Sequence, residues 1–72
     1  MQFNQVVLIG QGVLTPWMKP DENLLLHHAV MDPQENAWHV VYTVSRGEDR
    51  VYYHIVMDGQ GNIHRLSEEM EP

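Results

Sequence analysis

The sequence predicts a mainly β protein built around a small antiparallel β-meander of four or five strands, with a β-rich α+β fold as the alternative. Residues 38–44 and 51–57 alternate apolar and polar side chains, which is the pattern of half-buried strands. Each run is followed by turn-forming residues, at 45–50 and at 58–61. The second of these turns, Asp-Gly-Gln-Gly, is typical of a tight hairpin, and residues 62–66 return as a short strand.

The N-terminal part, residues 1–23, predicts a strand followed by an irregular connection. Gln-Val-Val-Leu-Ile at residues 5–9 is apolar and β-branched, which favours a strand that is buried on both faces or packed under a loop. Gly10 and Gly12 interrupt this run, and we expect them at a bulge or a turn. Residues 13–23 contain two prolines and are expected to lack regular structure.

Residues 24–31, Leu-Leu-Leu-His-His-Ala-Val-Met, fit either a strand or a helix. Asp21 is a suitable helix cap, and Leu, Ala and Met are good helix formers. A helix would, however, spread its apolar side chains around its whole circumference and leave no polar face. We therefore favour a strand, which the turn at residues 32–37 ends.

Length and composition point to one small domain over residues 1–72, with the meander at 24–66 and an acidic tail at 67–72 that is expected to be frayed or a single helical turn. The chain has no cysteine, which excludes disulfides, thiolate metal sites and cysteine nucleophiles. Its N-terminus lacks the positive region of a signal peptide, and its apolar runs are too short to span a bilayer. We expect a soluble cytoplasmic protein with no membrane partner.

Ten acidic residues against four basic ones give the chain a formal charge of −6. Direct nucleic-acid binding is not expected, because phosphate backbones repel such a surface. An acidic surface keeps a small protein soluble and also suits a protein partner with a basic patch. Mimicry of DNA is an alternative, although the acidic residues fall in turns at both ends of the meander rather than in a regular row.

The two faces of the meander follow from pairing Val44 with Val51 and from placing Ile63 beside Met57 after a bulge at Gly61. The face predicted to form the core carries His28 and mostly large apolar side chains: Leu24, Leu26, Val30, Trp38, Val40, Tyr42, Val44, Val51, Tyr53, Ile55, Met57 and Ile63. The opposite face is predicted to be half apolar: His27, Ala29, Met31, His39, Val41, Thr43, Tyr52, His54, Val56, His64 and Leu66. We expect such a face to be covered by the N-terminal segment, by a second copy or by another protein.

Five histidines in a chain of this size raise the possibility of a metal site or a pH-responsive face. In the predicted register His39, His54 and His64 step diagonally across three strands, with neighbours ~7–8 Å apart. Histidines at that separation are candidate ligands of one metal ion, but the sequence does not place a carboxylate that would complete the site. A simpler interpretation is a half-buried sheet with amphipathic side chains, and no cofactor is expected.

No pattern in the chain predicts catalysis. Residues 6–12, Val-Val-Leu-Ile-Gly-Gln-Gly, are similar to the start of a dinucleotide-binding turn, but Thr15 stands where the third glycine is needed. No serine, histidine and aspartate follow the spacing of a known triad. Trp17, in the irregular connection, is expected to plug the core, with an exposed anchor as the alternative.

The predicted function is therefore a small non-catalytic protein-interaction module, of the kind found among inhibitors, antitoxins, immunity proteins and phage accessory factors. It would bind a protein partner, or itself as a homodimer, through the half-apolar face or an unpaired strand edge. Aromatic residues and Met give such faces contact area. The predicted interaction residues are Met31, His39, Val41, Tyr52, His54 and Val56, with Trp17 as an outlying candidate.

Overall fold

A computed structural model, which describes residues 1–70, has a helix followed by one four-stranded antiparallel sheet. The strands are adjacent in chain order, β1-β2-β3-β4, so the predicted mainly β meander is confirmed. The elements are α1 (Phe3–Leu14), a 3-10 turn (Thr15–Trp17), β1 (Leu24–Asp32), β2 (Ala37–Arg46), β3 (Asp49–Asp58) and β4 (Ile63–Met70). Within residues 1–70, no helix has the length and apolar character that crossing a lipid bilayer requires.

The N-terminal segment is a helix, and the strand predicted at residues 5–9 is wrong. Val6, Gly10 and Leu14 recur every fourth residue and are all buried, which is the spacing of a helical stripe. This stripe packs on one face of the sheet and overrides the β preference of the local sequence. The two glycines of the segment consequently lie inside a helix and serve neither a bulge nor a turn.

The helix approaches β2 so closely that only glycine fits at position 10. A Cβ atom there would lie 2.4 Å from the hydroxyl oxygen of Tyr42, whereas a Cβ at Gly12 would meet open space. The Tyr42 hydroxyl donates a hydrogen bond to the carbonyl oxygen of Val7 at 2.6 Å. Burial raises the pKa of Tyr42 to about 12, so the hydroxyl remains a donor at all ordinary pH values. This contact fixes α1 to the sheet.

The pairing of β2 with β3, and of β3 with the start of β4, has the predicted register. Val44 pairs with Val51, and Met57 pairs with Ile63. The core lies between α1 and this face of the sheet and comprises Val6, Leu14, Val40, Tyr42, Val44, Val51, Tyr53, Ile55 and Met57.

Residues 24–32 form a strand, as favoured, but a bulge reverses its faces part-way along. Leu26 pairs with Tyr42, whereas His28 pairs with Val41, so His27 is an extra residue between them. One inserted residue exchanges the two faces of everything that follows. The correction affects four residues after the bulge: Ala29 and Met31 face the helix, while His28 and Val30 face away from it.

A second bulge has the same effect in β4. Val56 pairs with Arg65 and Met57 with Ile63, which leaves His64 as the extra residue. Leu66 therefore pairs with Ile55 on the helix-bearing face, opposite to the prediction. The strand continues through residues 67–70, so this part of the predicted acidic tail is neither frayed nor helical. The last two positions of that tail, 71–72, lie outside the described residues.

Candidate functional site

The candidate site is the face of the sheet that points away from α1, and we call it the histidine face. Because α1 packs on the other side, no helix and no second sheet of residues 1–70 covers this face. Its members follow from the strand register: Leu25, His28, Val30, His39, Val41, Thr43, Tyr52, His54, Val56, Arg65, Ser67 and Glu69, with His27 at the bulge.

The centre of the histidine face is apolar and partly shielded by its own side chains. Val56 is buried, and Val41 and Tyr52 are half-buried. Toward the β1 edge the surface stays apolar, with Leu25 and Val30 more than half exposed. Toward the β4 edge the side chains are polar or charged. The face therefore has an apolar middle with one polar border.

Two histidines meet among these apolar side chains. His39 Nδ1 and His54 Nε2 lie 2.9 Å apart, and the ring centroids are separated by 5.1 Å. Burial lowers the pKa of His54, and the nearby charges of His39 and Arg65 lower it further. The neutral form of His54 is thereby favoured, which allows one of its ring nitrogens to accept the hydrogen bond.

A second histidine pair lies at the β1 bulge. His27 Nδ1 and His28 Nδ1 are 2.6 Å apart, and the His27 ring meets the Tyr52 ring edge-on at 5.8 Å. These three rings, together with Val41, His54 and Glu69, line a shallow cavity of about 280 Å³. His28 was predicted in the core, and only the bulge brings it to this cavity.

His64 does not join the other histidines, so the predicted diagonal row of three is wrong. Its Nε2 lies 2.9 Å from Asp58 Oδ2, beside the β3–β4 turn. Asp58 also accepts backbone N–H bonds from Gln60 and Asn62. The hydrogen bond with His64, followed by these two, holds the pKa of Asp58 well below its usual range. His64 therefore contacts the β3–β4 turn from the bulge in β4 and is not part of the histidine face.

The carboxylates that the sequence did not place near a histidine lie in the β1–β2 turn. Asp32 ends β1, and its Oδ1 accepts N–H bonds from Gln34 and Glu35, which lowers its pKa. Glu35 Oε2 is 3.4 Å from His39 Nε2. Asp32, Glu35 and His39 offer ligand atoms that all lie within 4.8 Å of one another. In the sequence, the spacing D-x-x-E-x-x-x-H across a predicted hairpin is the pattern that could have indicated this cluster.

Two predicted interaction residues lie away from the histidine face. Met31 pairs with Trp38 on the helix-bearing face. Trp17 lies in the 3-10 turn and is 72% exposed, so its expected role as a core plug is wrong and it matches the exposed alternative. With Leu14 and Tyr53, among others, it lines a groove of about 460 Å³ on the helix side. The other five, His39, Val41, Tyr52, His54 and Val56, come together on the histidine face.

Arg46 neutralises part of the acidic charge at the opposite end of the sheet. It donates from Nε to Glu22 at 2.6 Å and from its guanidinium to the Tyr53 hydroxyl at 2.7 Å, and it lies 3.8 Å from Glu68. Glu22 is the main cause of the raised pKa of Arg46. The network fastens the loop after the 3-10 turn to β2 and β3.

Comparisons with protein-family models, with curated proteins and with solved structures found no match to this chain. We therefore infer its function from the geometry and chemistry of its surfaces.

Proposed function

We propose that this protein is a small non-catalytic binding module that docks a partner protein on its histidine face, in the manner of an inhibitor, antitoxin, immunity protein or phage accessory factor. One observation carries the proposal: α1 covers one face of the sheet, while residues 1–70 leave the other face, with its apolar centre, without a covering layer. Cysteine-free composition fits a place in the reducing cytoplasm.

The size and composition of the histidine face suit a protein interface. Four strands spaced ~4.8 Å apart, with about nine residues at ~3.3 Å each, give a flat area of roughly 570 Å². A standard interface buries about 800 Å² of accessible surface on each partner. Because side chains project from the plane of the sheet, the accessible area of the face is larger than its flat area. Tyr52, Val41 and Val56 form the apolar middle, and Arg65 and Glu69 belong to the polar border, which is the usual anatomy of such interfaces.

Charge favours a different protein over a second copy as the partner. Each chain carries a formal charge of −6, so two copies repel one another at long range. The carboxylates of Asp32, Glu35 and Glu69 border the apolar centre. The complementary surface is an apolar patch flanked by lysine and arginine, and its association would weaken as the salt concentration rises.

The strand edges suit a partner less well than the face. Addition of a strand needs a flat and unobstructed row of backbone groups. In β1 the bulge at His27 twists that row, and β4 carries charged side chains at Arg65, Glu68 and Glu69. Both features are ones by which proteins protect the edges of their sheets.

DNA mimicry has weaker support than protein docking. Asp32, Glu35 and Asp58 lie at one end of the sheet, and Glu22 and Glu68 lie beside Arg46 at the other end. A mimic of a phosphate backbone needs a regular row of carboxylates without compensating cations. The charges of this chain are instead divided between two ends and partly paired.

Site-specific photo-crosslinking in cells tests the proposal. A photoreactive phenylalanine analogue replaces Tyr52 on the histidine face or, as the matched aromatic control, Phe3, which is 47% exposed on α1. We expect the probe at position 52 to attach the protein to one different polypeptide and the probe at position 3 to give no such product. Adding Val41→Asp should remove the product, because a buried unpaired charge costs about 2 kcal/mol or more, roughly a 30-fold loss of affinity.

Three outcomes would contradict the proposal. The first is the absence of any product specific to position 52. The second is a product made only of two copies of the 8.4 kDa chain, which would replace the foreign partner by a homodimer. The third is a product that survives Val41→Asp unchanged, which would place the contact elsewhere.

A further inference from the structure

Three side chains with metal-binding atoms converge at the β1–β2 hairpin. Asp32 is the last residue of β1, Glu35 lies in the turn, and His39 is the third residue of β2. Asn36 has a positive φ of 52°, which lets the chain reverse tightly enough to return His39 toward Glu35. Their ligand atoms all lie within 4.8 Å of one another, and the Glu35 side chain is exposed.

The orientation of His39 gives independent evidence for a ligand. Its Nε2 atom is buried and has no hydrogen-bond partner among residues 1–70. Glu35 Oε2 faces this nitrogen at 3.4 Å without forming a hydrogen bond. A buried polar atom without a partner is uncommon and often marks a site for an ion or a water molecule. Bonds of ~2.0–2.1 Å to tetrahedral zinc set neighbouring ligand atoms about 3.4 Å apart, so this nitrogen and oxygen already have the required spacing.

The surroundings of the three residues resemble the outer shell of a metal site. His39 Nδ1 lies 2.9 Å from His54 Nε2, and a hydrogen bond donated from Nδ1 leaves the lone pair of Nε2 free for a metal ion. Asp32 Oδ1 is held by the backbone N–H groups of Gln34 and Glu35, while its second oxygen, Oδ2, takes no part in those bonds. His39 and Asp32 are thus each oriented by further hydrogen bonds, and the turn itself positions Glu35.

The geometry points to a binding site for one divalent transition-metal ion of the zinc class, with Asp32, Glu35 and His39 as its protein ligands. One imidazole and two carboxylates match the ligand preferences of zinc, and three protein ligands leave a position for water or for a group from another molecule. The neighbouring pair of Asp58 and His64 is a weaker candidate for this site. Asp58 already accepts a hydrogen bond from His64, and the pair offers two ligands, whereas the hairpin offers three. The inference is independent of the proposed function.

Calorimetric titration of the whole chain with zinc chloride tests the inference. We expect one zinc ion per chain, bound saturably, and loss of that binding in His39→Gln and in Glu35→Gln. His54→Phe retains all three ligands but removes the hydrogen-bond acceptor behind His39. Because outer-shell partners contribute about 10–100-fold to metal affinity, this variant should bind zinc 10–100 times more weakly.

Two other histidine sites provide matched controls. His64→Gln removes the histidine of the Asp58 pair, and His28→Gln removes one ring of the pair at the β1 bulge. Both variants should bind zinc as the unaltered chain does. Because the Glu35 side chain is half exposed, Glu35→Gln should fold normally, and its amide NMR spectrum verifies this.

The inference is overturned if the unaltered chain takes up no zinc. It is equally overturned if folded Glu35→Gln keeps full affinity, or if His64→Gln or His28→Gln is the variant that loses binding. Failure in any of these ways leaves the docking proposal untouched, because photo-crosslinking at position 52 is measured without added metal.

Discussion

Replacing Gly10 with alanine is expected to lower the free energy of unfolding by about 2 kcal/mol. The added methyl group would lie 2.4 Å from the Tyr42 hydroxyl oxygen, so the helix or the ring must move. Overpacking of this kind costs ~1–3 kcal/mol, and a lost hydrogen bond from Tyr42 to Val7 adds ~0.5–1.5 kcal/mol. The higher helix propensity of alanine returns ~0.5–1 kcal/mol. Urea denaturation followed by circular dichroism measures the difference.

Gly12→Ala is the matched control, because it makes the same substitution in the same helix at a position where the added methyl group would meet open space. It should stabilise the protein by ~0.5–1 kcal/mol. Combining Gly10→Ala with Tyr42→Phe removes the nearest clashing atom, so the cost of the alanine should fall in that background. Stabilisation by both alanines would contradict the close contact between α1 and β2.

Leu14→Ala is expected to cost about 3 kcal/mol, within the ~2–5 kcal/mol range for leucine truncation in a core. Leu14 is 1% exposed and belongs to the core cluster between α1 and the sheet. A domain of this length has a total stability of roughly 4–11 kcal/mol, so the variant should lose much of its folding margin. The shift of the urea midpoint measures the effect.

Leu8→Ala supplies the same truncation at a position that is 66% exposed on the same helix. It should change stability by less than ~0.5 kcal/mol. This pair separates the helix from the strand that the sequence first predicts, since a strand at residues 5–9 buried on both faces would also bury Leu8. Equal losses from Leu8→Ala and Leu14→Ala would contradict the helical stripe.

The sequence was a good guide to the centre of the sheet. Strands β2 and β3 alternate cleanly, and the turn between them leaves little choice of partner, so Val44 pairs with Val51 as predicted. The same register brings His39 and His54 together on one face. These predictions succeed because a period of two and a tight turn are both local properties of the chain.

The remaining errors come from features that leave weak traces in the sequence. Single-residue bulges at His27 and His64 alter no composition. The first moves His28 onto the histidine face and Met31 off it, and the second moves Leu66 off it. The helix was missed because its β-branched residues resemble a strand. The need for glycine at position 10 comes from its close contact with Tyr42, which is distant in the sequence. Tertiary packing decides these positions, and local propensity does not.

The carboxylates of the proposed metal site were missed for a related reason. Asp32 and Glu35 were expected at one end of the meander as turn residues, and His39 was expected on a strand face. Only the actual path of the β1–β2 hairpin sets their atoms within 4.8 Å of one another. Sequence spacing therefore indicates which groups are near, while the turn conformation determines whether they can share an ion.

In the proposed function, α1 covers one face of the sheet and the histidine face stays open to a partner. Relaxation of valine methyl groups by a soluble gadolinium chelate tests this arrangement. Val30 and Val41 lie on the histidine face, whereas Val40 and Val44 are buried beneath the helix. We predict strong broadening of the Val30 and Val41 methyl signals in the dilute protein and protection of Val40 and Val44. Equal protection of all four valines in dilute solution would contradict the account.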